Sequence, residues 1–264
     1  MPHDLFSLEG KIIVVVGAGS GIGEAIALGA ADQGAAHVAC LDLNEAGAAA
    51  TAAQITAMGG RAAAAAMDIA DAEGTRACLD RLAAAYGAID GLVCTPSINV
   101  RKPILAYSGD EFDRVVRVNL RGNFNVLQTA GRIMTTQKRG SIVLYSSIRS
   151  IVTEPGQSVY SMTKAGIVQL AKTAATEWAT LGVRVNAIGP GVVETPLTRP
   201  IKDDKDWYDA YARKSPMQRW AQPSEMVGPT LFLLSDAASY VTGTIIYADG
   251  GWTAADGRFT PPGM

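Results

Sequence analysis

Lys11-Ile-Ile-Val-Val-Val16, followed at once by Gly17-Ala-Gly-Ser-Gly-Ile-Gly23, is the stretch that decides the fold. A short, unbroken run of β-branched residues reads as a strand buried on both faces, as in a parallel sheet covered by helices. The glycines end it, and Glu24 to Gln33 reads as a helix stopped by Gly34. Strand, glycine-rich turn and helix, in that order, give such a turn its meaning. A backbone without Cβ atoms passes close to a pyrophosphate, and the amides of the helix N-terminus face the negative charge. Gly17, Ser20, Gly21, Ile22 and Gly23 are therefore candidate nucleotide contacts.

Moving outward, Ala36 to Leu41 reads as a second strand with Asp42 and Leu43 at its end. A carboxylate there accepts hydrogen bonds from an adenosine ribose and repels a 2′-phosphate, so Asp42 predicts NAD in preference to NADP. The other reading of Asp42 is a cap on the next helix, a job Asn44 can also do. Ala62 to Ala66 would be helix by propensity alone. Alternation of strands and helices demands a third strand there instead, just before Asp68 and Ile69. Thr75 to Tyr86 reads as a helix and Gly91 to Cys94 as the fourth strand, leading to Thr95 and Pro96. One long helix is expected from about residue 108 to 137, containing Asn119. Ser141 to Tyr145, Val183 to Ile188 and Gly243 to Ala248 complete a set of seven strands. Open α/β sheets bind ligands beyond the carboxyl ends of their strands. Gly17, Asp42, Asp68, Cys94, Ser147 and Gly189 all fall there.

Composition narrows the function classes. A formal charge of −2 and a pI near 5.7 argue against a nucleic-acid surface. No apolar run reaches the roughly 18 residues of a membrane span. The first residues lack the basic-then-apolar order of a signal peptide. Cys40, Cys78 and Cys94 show neither metal nor disulfide spacing, so no metal site is expected and the thiols read as buried and free. Together these predict a cytoplasmic protein acting on a small molecule. No Pro- or Ser-rich linker divides the chain, which reads as one domain.

Ser147 to Lys164 supplies the chemistry. A helix opening near Tyr160 puts Lys164 one turn later on the same face. A neighbouring cation favours the phenolate, and a phenol so tuned exchanges a proton with an alcohol or carbonyl. With these residues in place, the chain resembles the short-chain dehydrogenase/reductase family over essentially its whole length. The resemblance rests on Gly17-Ala-Gly-Ser-Gly-Ile-Gly23, Asp68-Ile69, Asn119, Ser147, Tyr160-x-x-x-Lys164 and Pro190-Gly191. It implies a single-domain Rossmann-type α/β fold over 1–264, a doubly wound parallel sheet of about seven strands with helices on both faces. It also implies a homotetramer, with the helices near 108–137 and 155–180 packing on symmetry mates.

The same resemblance assigns roles. Tyr160 is the general acid or base, Ser147 hydrogen-bonds the substrate oxygen, and Lys164 binds the nicotinamide ribose and keeps the Tyr160 pKa low. Asn119 holds a relay water. Asp68 and Ile69 flank the adenine, and Val193 and Thr195 take the carboxamide after Pro190-Gly191. Two departures stand out. Val16 occupies the place of a usual Thr, at a cost of about 1 kcal/mol. Cys94-Thr95-Pro96-Ser97 replaces Asn-Asn-Ala-Gly at the cofactor edge, where Cys94 lacks the two-way hydrogen bonding of an amide.

Within the family the chain is most similar to gluconate 5-dehydrogenase-like and polyol or sugar dehydrogenases, through Phe6-Ser-Leu-Glu-Gly-Lys11, Arg101-x-Pro103 and Arg219-Trp220. Arg101 and Arg149 lie on the substrate rim, where a guanidinium grips an anion with paired hydrogen bonds. Arg149 reads equally as a loop charge or an ion-pair partner of Glu154. Residues 195–218 occupy the place of a mobile substrate lid, with Trp207, Tyr208 and Tyr211 on one helix face and Trp207 as a substrate contact. An ordinary surface helix is the competing reading. The alternatives to an alcohol dehydrogenase are a reductase of a non-sugar carbonyl and a non-catalytic nucleotide binder. The tail from Trp252 to Met264 has no helix or strand pattern and is expected to fray or to lie across a neighbouring subunit.

Overall fold

A computed structural model describes residues 4–255. The part of the tail beyond Ala255 lies outside the described residues. In chain order the main elements are β1 (Ile12–Val16), α1 (Gly21–Asp32), β2 (His37–Asp42), α2 (Glu45–Ala57), β3 (Ala62–Ala66), α3 (Ala72–Tyr86) and β4 (Gly91–Cys94). They continue with α4 (Gly109–Val116), α5 (Asn123–Gln137), β5 (Gly140–Tyr145), α6 (Ser158–Trp178) and β6 (Val183–Pro190). The last are α7 (Arg199–Lys202), α8 (Lys205–Lys214), α9 (Val227–Leu234) and β7 (Ile245–Ala248).

All seven strands form one parallel sheet in the order β3-β2-β1-β4-β5-β6-β7. Period-two alternation along β1 sends Ile13 and Val15 to one face, where they join Ile26, Ile55 and Leu233 from α1, α2 and α9. Val14 and Val16 go to the other face and join Leu79, Val126, Met134 and Ile167 from α3, α5 and α6. Both faces are therefore apolar, as the unbroken β-branched run requires. Each fully buried Val, Leu or Ile adds roughly 1.5–3 kcal/mol, which ties these helices to the sheet. Strand order reverses between β1 and β4, and the crevice at that reversal is where such sheets take ligands.

Two elements show tertiary context overriding local preference. Ala62–Ala66 is a strand despite its five alanines, in register with Val38 to Asp42 of β2. It is the sheet edge, half-exposed, where little bulk is needed. The single long helix expected between 108 and 137 is two helices, α4 and α5, joined by a π-helical segment, Arg117–Gly122. Its cause lies in the site. No helix among the described residues is long and apolar enough to cross a membrane.

Candidate active site

A cleft of about 420 Å³ opens at the carboxyl ends of β1, β2 and β3. Gly17, Ser20, Gly21, Ile22, Gly23, Asp42, Leu43, Asp68, Ile69, Thr95, Pro96 and Thr195 line it. Ser97, read as part of the cofactor edge, lines it too, as do Ile98, Val118, Pro196 and Leu197, which were not named as contacts. Their only signal was adjacency to Pro96, Asn119 and Thr195. Cys94 and Val193 are buried and lie outside the lining, as does Pro190 at the end of β6. Gly191 faces the neighbouring cavity instead.

The turn is built for close approach. Gly17 has φ +86°, and a Cβ there would lie 2.2 Å from Thr95 Oγ1. A Cβ on Gly23 would lie 1.9 Å from the Gly17 carbonyl oxygen. Only hydrogen fits at either position, so the backbone is bare where the cleft meets α1. Ser20 makes no side-chain cap bond, which leaves the first amides of α1 open to an anion. This chemistry fits a nicotinamide dinucleotide. The hydroxyl lost at Val16 is replaced from the next strand: Thr95 Oγ1 donates to the Val16 carbonyl at 3.0 Å.

The catalytic candidates converge where β5 and α6 meet. Ser147 follows β5, buried, and its Oγ accepts the Arg149 amide at 3.1 Å. Tyr160 lies in the first turn of α6, and Lys164 one turn on is 2% exposed. Lys164 Nζ donates to the Tyr145 carbonyl at 2.8 Å and sits 5.5 Å from the centroid of the Tyr160 ring. Burial lowers the Lys164 pKa to about 8. Burial raises that of Tyr160, opposed by hydrogen bonding with Ser147 and by the Arg101 and Arg149 charges. The two arginines thus join Lys164 around the phenol, while Lys164 Nζ itself is hydrogen-bonded to a backbone carbonyl. Next to it, burial pushes the Cys94 thiol up to about 12, leaving an inert neutral neighbour.

Asn119 explains the break in the long helix. Its Oδ1 accepts the Ile98 amide and its Nδ2 donates to the Ile98 carbonyl, both at 2.8 Å, with Thr163 Oγ1 at 3.2 Å. The side chain is wholly buried and pins the loop after β4 to α6. One added residue per turn in the π segment is the backbone change that places it there.

On the substrate side a cavity of about 70 Å³ is bounded by Ser147, Tyr160, Arg149, Arg101, Asn99, Gln157 and Tyr211, among others. Its organising group is Glu154. Arg149 Nη2 donates to Glu154 Oε2, while Tyr211 OH and Arg101 Nη1 donate to Oε1, the latter at 3.0 Å. Of the two sequence readings of Arg149, the structure contains the ion pair. Arg149 keeps one free donor: Nη1 is buried and without a partner. Glu154 is held below the usual carboxylate range: these donors and cations outweigh the largest single influence, its own burial.

Residues 195–218 pack on an aromatic cluster of Tyr208, Tyr211, Trp220 and Trp252 with Ile148 and Ile201. Tyr208 stacks on Trp220 at 4.8 Å, and Trp220 Nε1 donates to the Tyr208 carbonyl at 3.0 Å. Trp207 does not line the cavity. It is exposed, with the Arg101 guanidinium 5.3 Å from its ring centroid. Tyr211, one turn later, reaches the cavity instead.

Against known proteins, a family model described as enoyl-(acyl carrier protein) reductase matches residues 17–253. The chain is 34% identical over 250 residues to 2-dehydro-3-deoxy-D-gluconate 5-dehydrogenase of Pseudoalteromonas atlantica, covering 94% of this chain and 97% of that one. It is 38% identical over 248 residues to D-threitol dehydrogenase of Mycolicibacterium smegmatis, covering 94% and 95%. A gluconate 5-dehydrogenase from Burkholderia cenocepacia, crystallised with NADP and tartrate, superposes with a TM-score of 0.92 at 36% identity, covering 96% and 98%.

These relatives correct one expectation. The Burkholderia enzyme holds NADP, as do solved relatives from Beutenbergia cavernae and Agrobacterium tumefaciens at 39% and 34% identity. The NAD preference drawn from Asp42 therefore falls. The structure supplies the physical reason: both carboxylate oxygens of Asp42 are already engaged by backbone. Oδ2 accepts the Gly19 amide and Oδ1 the Asn44 amide, each at 2.8 Å. Asp42 braces the glycine turn, while Asn44 caps α2 by accepting the Gly47 amide at 3.3 Å.

Proposed function

The chain belongs to the short-chain dehydrogenase/reductase family and is an oxidoreductase acting on CH–OH donors; on that premise we propose that it interconverts a secondary alcohol and a ketone on a small sugar acid or polyol. The observation that carries this reading is the convergence of Ser147, Tyr160 and Arg149 on one small polar cavity beside the nucleotide cleft. Names of relatives add support: sugar-acid and threitol dehydrogenases, and a solved enzyme with bound tartrate, a polyhydroxylated acid.

In the proposed mechanism a nicotinamide dinucleotide, held by Gly17 to Gly23, Asp68, Ile69 and Thr195, supplies the hydride acceptor or donor. Ser147 Oγ and Tyr160 OH hold the reacting oxygen. Tyr160, as phenolate, takes the hydroxyl proton on oxidation, and as phenol it returns one on reduction. Arg101 and Arg149 favour the phenolate across the cavity. Lys164 is the residue that would hold the nicotinamide ribose. The Asn119 amide is fully engaged in holding Ile98, so a relay water would fall to a backbone carbonyl of the π segment. Two guanidiniums against the single Glu154 carboxylate leave one net positive charge at the rim, which suits one carboxylate on the substrate. The segment 195–218, hinged on its aromatic cluster, serves as a lid that excludes water.

Exposed Phe112 and Phe124, flanking the π segment, and Met162 on α6 give the tetramer a contact face, and three buried free thiols suit a cytoplasmic setting. The test is a panel of polyols and sugar acids with each dinucleotide, followed by absorbance of the reduced nicotinamide, with Tyr160→Phe as control. Reduction of the dinucleotide by at least one polyhydroxylated alcohol, lost in the control, is expected. No turnover by the folded wild type with the panel, or undiminished turnover in Tyr160→Phe, would end the proposal.

A further inference from the structure

Asn99 was not singled out by its sequence context, yet it carries a buried, unpaired acceptor at the substrate cavity. Its Oδ1 has no hydrogen-bond partner, and the residue lines the same cavity as Ser147 and Tyr160. Buried polar atoms in native proteins are nearly always paired, so an orphan beside reacting groups marks a place where something else bonds.

The direction of this amide is set by its neighbour. Gln157 is 3% exposed, and its Oε1 accepts Asn99 Nδ2 at 3.2 Å. With its NH₂ so engaged, Asn99 has Oδ1 left for the cavity. Gln157 also stands at the N-cap of α6, one turn before Tyr160, so this amide pair and the catalytic phenol share one rigid support.

We propose that Asn99 is a specificity-determining residue whose Oδ1 accepts a hydrogen bond from a second hydroxyl of the substrate, next to the reacting carbinol. This rests on the dehydrogenase reading above and narrows its substrate class to vicinal diols and their α-hydroxyketones. Proximity is supported by size: a cavity of about 70 Å³ bounded by both Tyr160 and Asn99 brings both groups to bear on one small substrate. An acceptor rewards a hydroxyl donor and repels a carboxylate or ketone at that position. The anionic end of a sugar acid belongs with Arg149, whose buried Nη1 is the unpaired donor of the same cavity. Gln157 is a positioning residue in this scheme.

The test compares kcat/KM for butane-2,3-diol and butan-2-ol, which share the reacting carbinol and differ in the second hydroxyl. Leaving the Asn99 acceptor unpaired predicts a wild-type preference for the diol of about tenfold to a hundredfold. Asn99→Ala should reduce that ratio about tenfold. Gln157→Leu should reduce it less, because Asn99 is then free to rotate rather than absent. A wild type without diol preference overturns the proposal with no variant needed, and so does a folded Asn99→Ala protein with an unchanged ratio. If wild type oxidises neither these alcohols nor any member of the polyol panel, the dehydrogenase reading itself fails. Turnover of alcohols without the preference leaves that reading standing and removes only the role of Asn99.

Discussion

Replacing Glu154 by Gln removes one negative charge between two arginines, and the structure allows the consequence to be sized. The Arg149 side chain is 5% exposed and that of Glu154 is 21% exposed. Breaking a buried pair by deleting one partner costs roughly 3–5 kcal/mol, because the other charge is left uncompensated. Partial exposure of Glu154 and the acceptor retained by Gln bring this to about 2–3 kcal/mol. The Arg101 pair, 31% exposed on the arginine side, adds at most about 1 kcal/mol. A total near 3 kcal/mol lowers the Tm of a chain this size by roughly 6–12 °C. The difference also depends on pH. The Glu154 pKa is depressed in the folded state, so its contribution is fully present above the unfolded value and fades as pH falls through the folded one. Urea unfolding of wild type and Glu154→Gln at neutral and acid pH should therefore diverge at pH 7 and approach each other below pH 4. A double variant, Arg149→Met with Glu154→Leu, should be less destabilised than the sum of its singles by more than about 1 kcal/mol. Additive singles, or a Glu154→Gln protein within about 0.5 kcal/mol of wild type, would refute the idea that this carboxylate organises the rim.

Two further outcomes follow from the cofactor side. Asp42→Ala, which frees the Gly19 and Asn44 amides, should weaken binding of both dinucleotides together, measured by quenching of protein fluorescence, whereas a clean exchange of one for the other would contradict its role as a brace. Lys164, with a folded pKa of about 8 set by burial, binds fewer protons than the unfolded chain between that value and about 10.4. Its contribution to stability therefore rises across that window. The unfolding free energy of cofactor-free wild type relative to Lys164→Met should grow from pH 8 to pH 10, and a flat difference would show that the ammonium is better solvated than its surroundings suggest.

The sheet was legible because its first strand is coded by a local feature, an unbroken β-branched run ended by glycine, that survives without tertiary information, and because short apolar runs recur at the spacing of alternating strands and helices. Ala62–Ala66 shows where locality stops, since only the alternation of elements, and not its alanines, made it a strand. The bare turn at Gly17 and Gly23 and the Ser147, Tyr160 and Lys164 spacing were visible for the same reason. What stayed hidden depends on which way a side chain turns. Asp42 stands at the expected strand end but spends one oxygen on the glycine turn and the other on its own loop. Trp207 shares a helix face with Tyr211 in projection, yet only Tyr211 points inward once Trp220 and Trp252 pack beneath the helix. Glu154 emerged as the hub only when residues from three separate segments were brought together around it.

The π segment at Arg117–Gly122 has a consequence for insertions and deletions in this chain. A wide π turn absorbs one surplus residue, so the side chains beyond it keep the faces they would have in an uninterrupted α-helix. Losing a single residue there would let the two helices merge while Phe124 stayed outward and Val126 stayed on the sheet. The same deletion inside α5 would turn every following side chain by about 100° and pull the apolar stripe off the sheet. The segment is thus the one stretch of this helix pair where chain length can change without loss of phase, and what such a deletion would forfeit is the placement of Asn119 against Ile98 and Thr163.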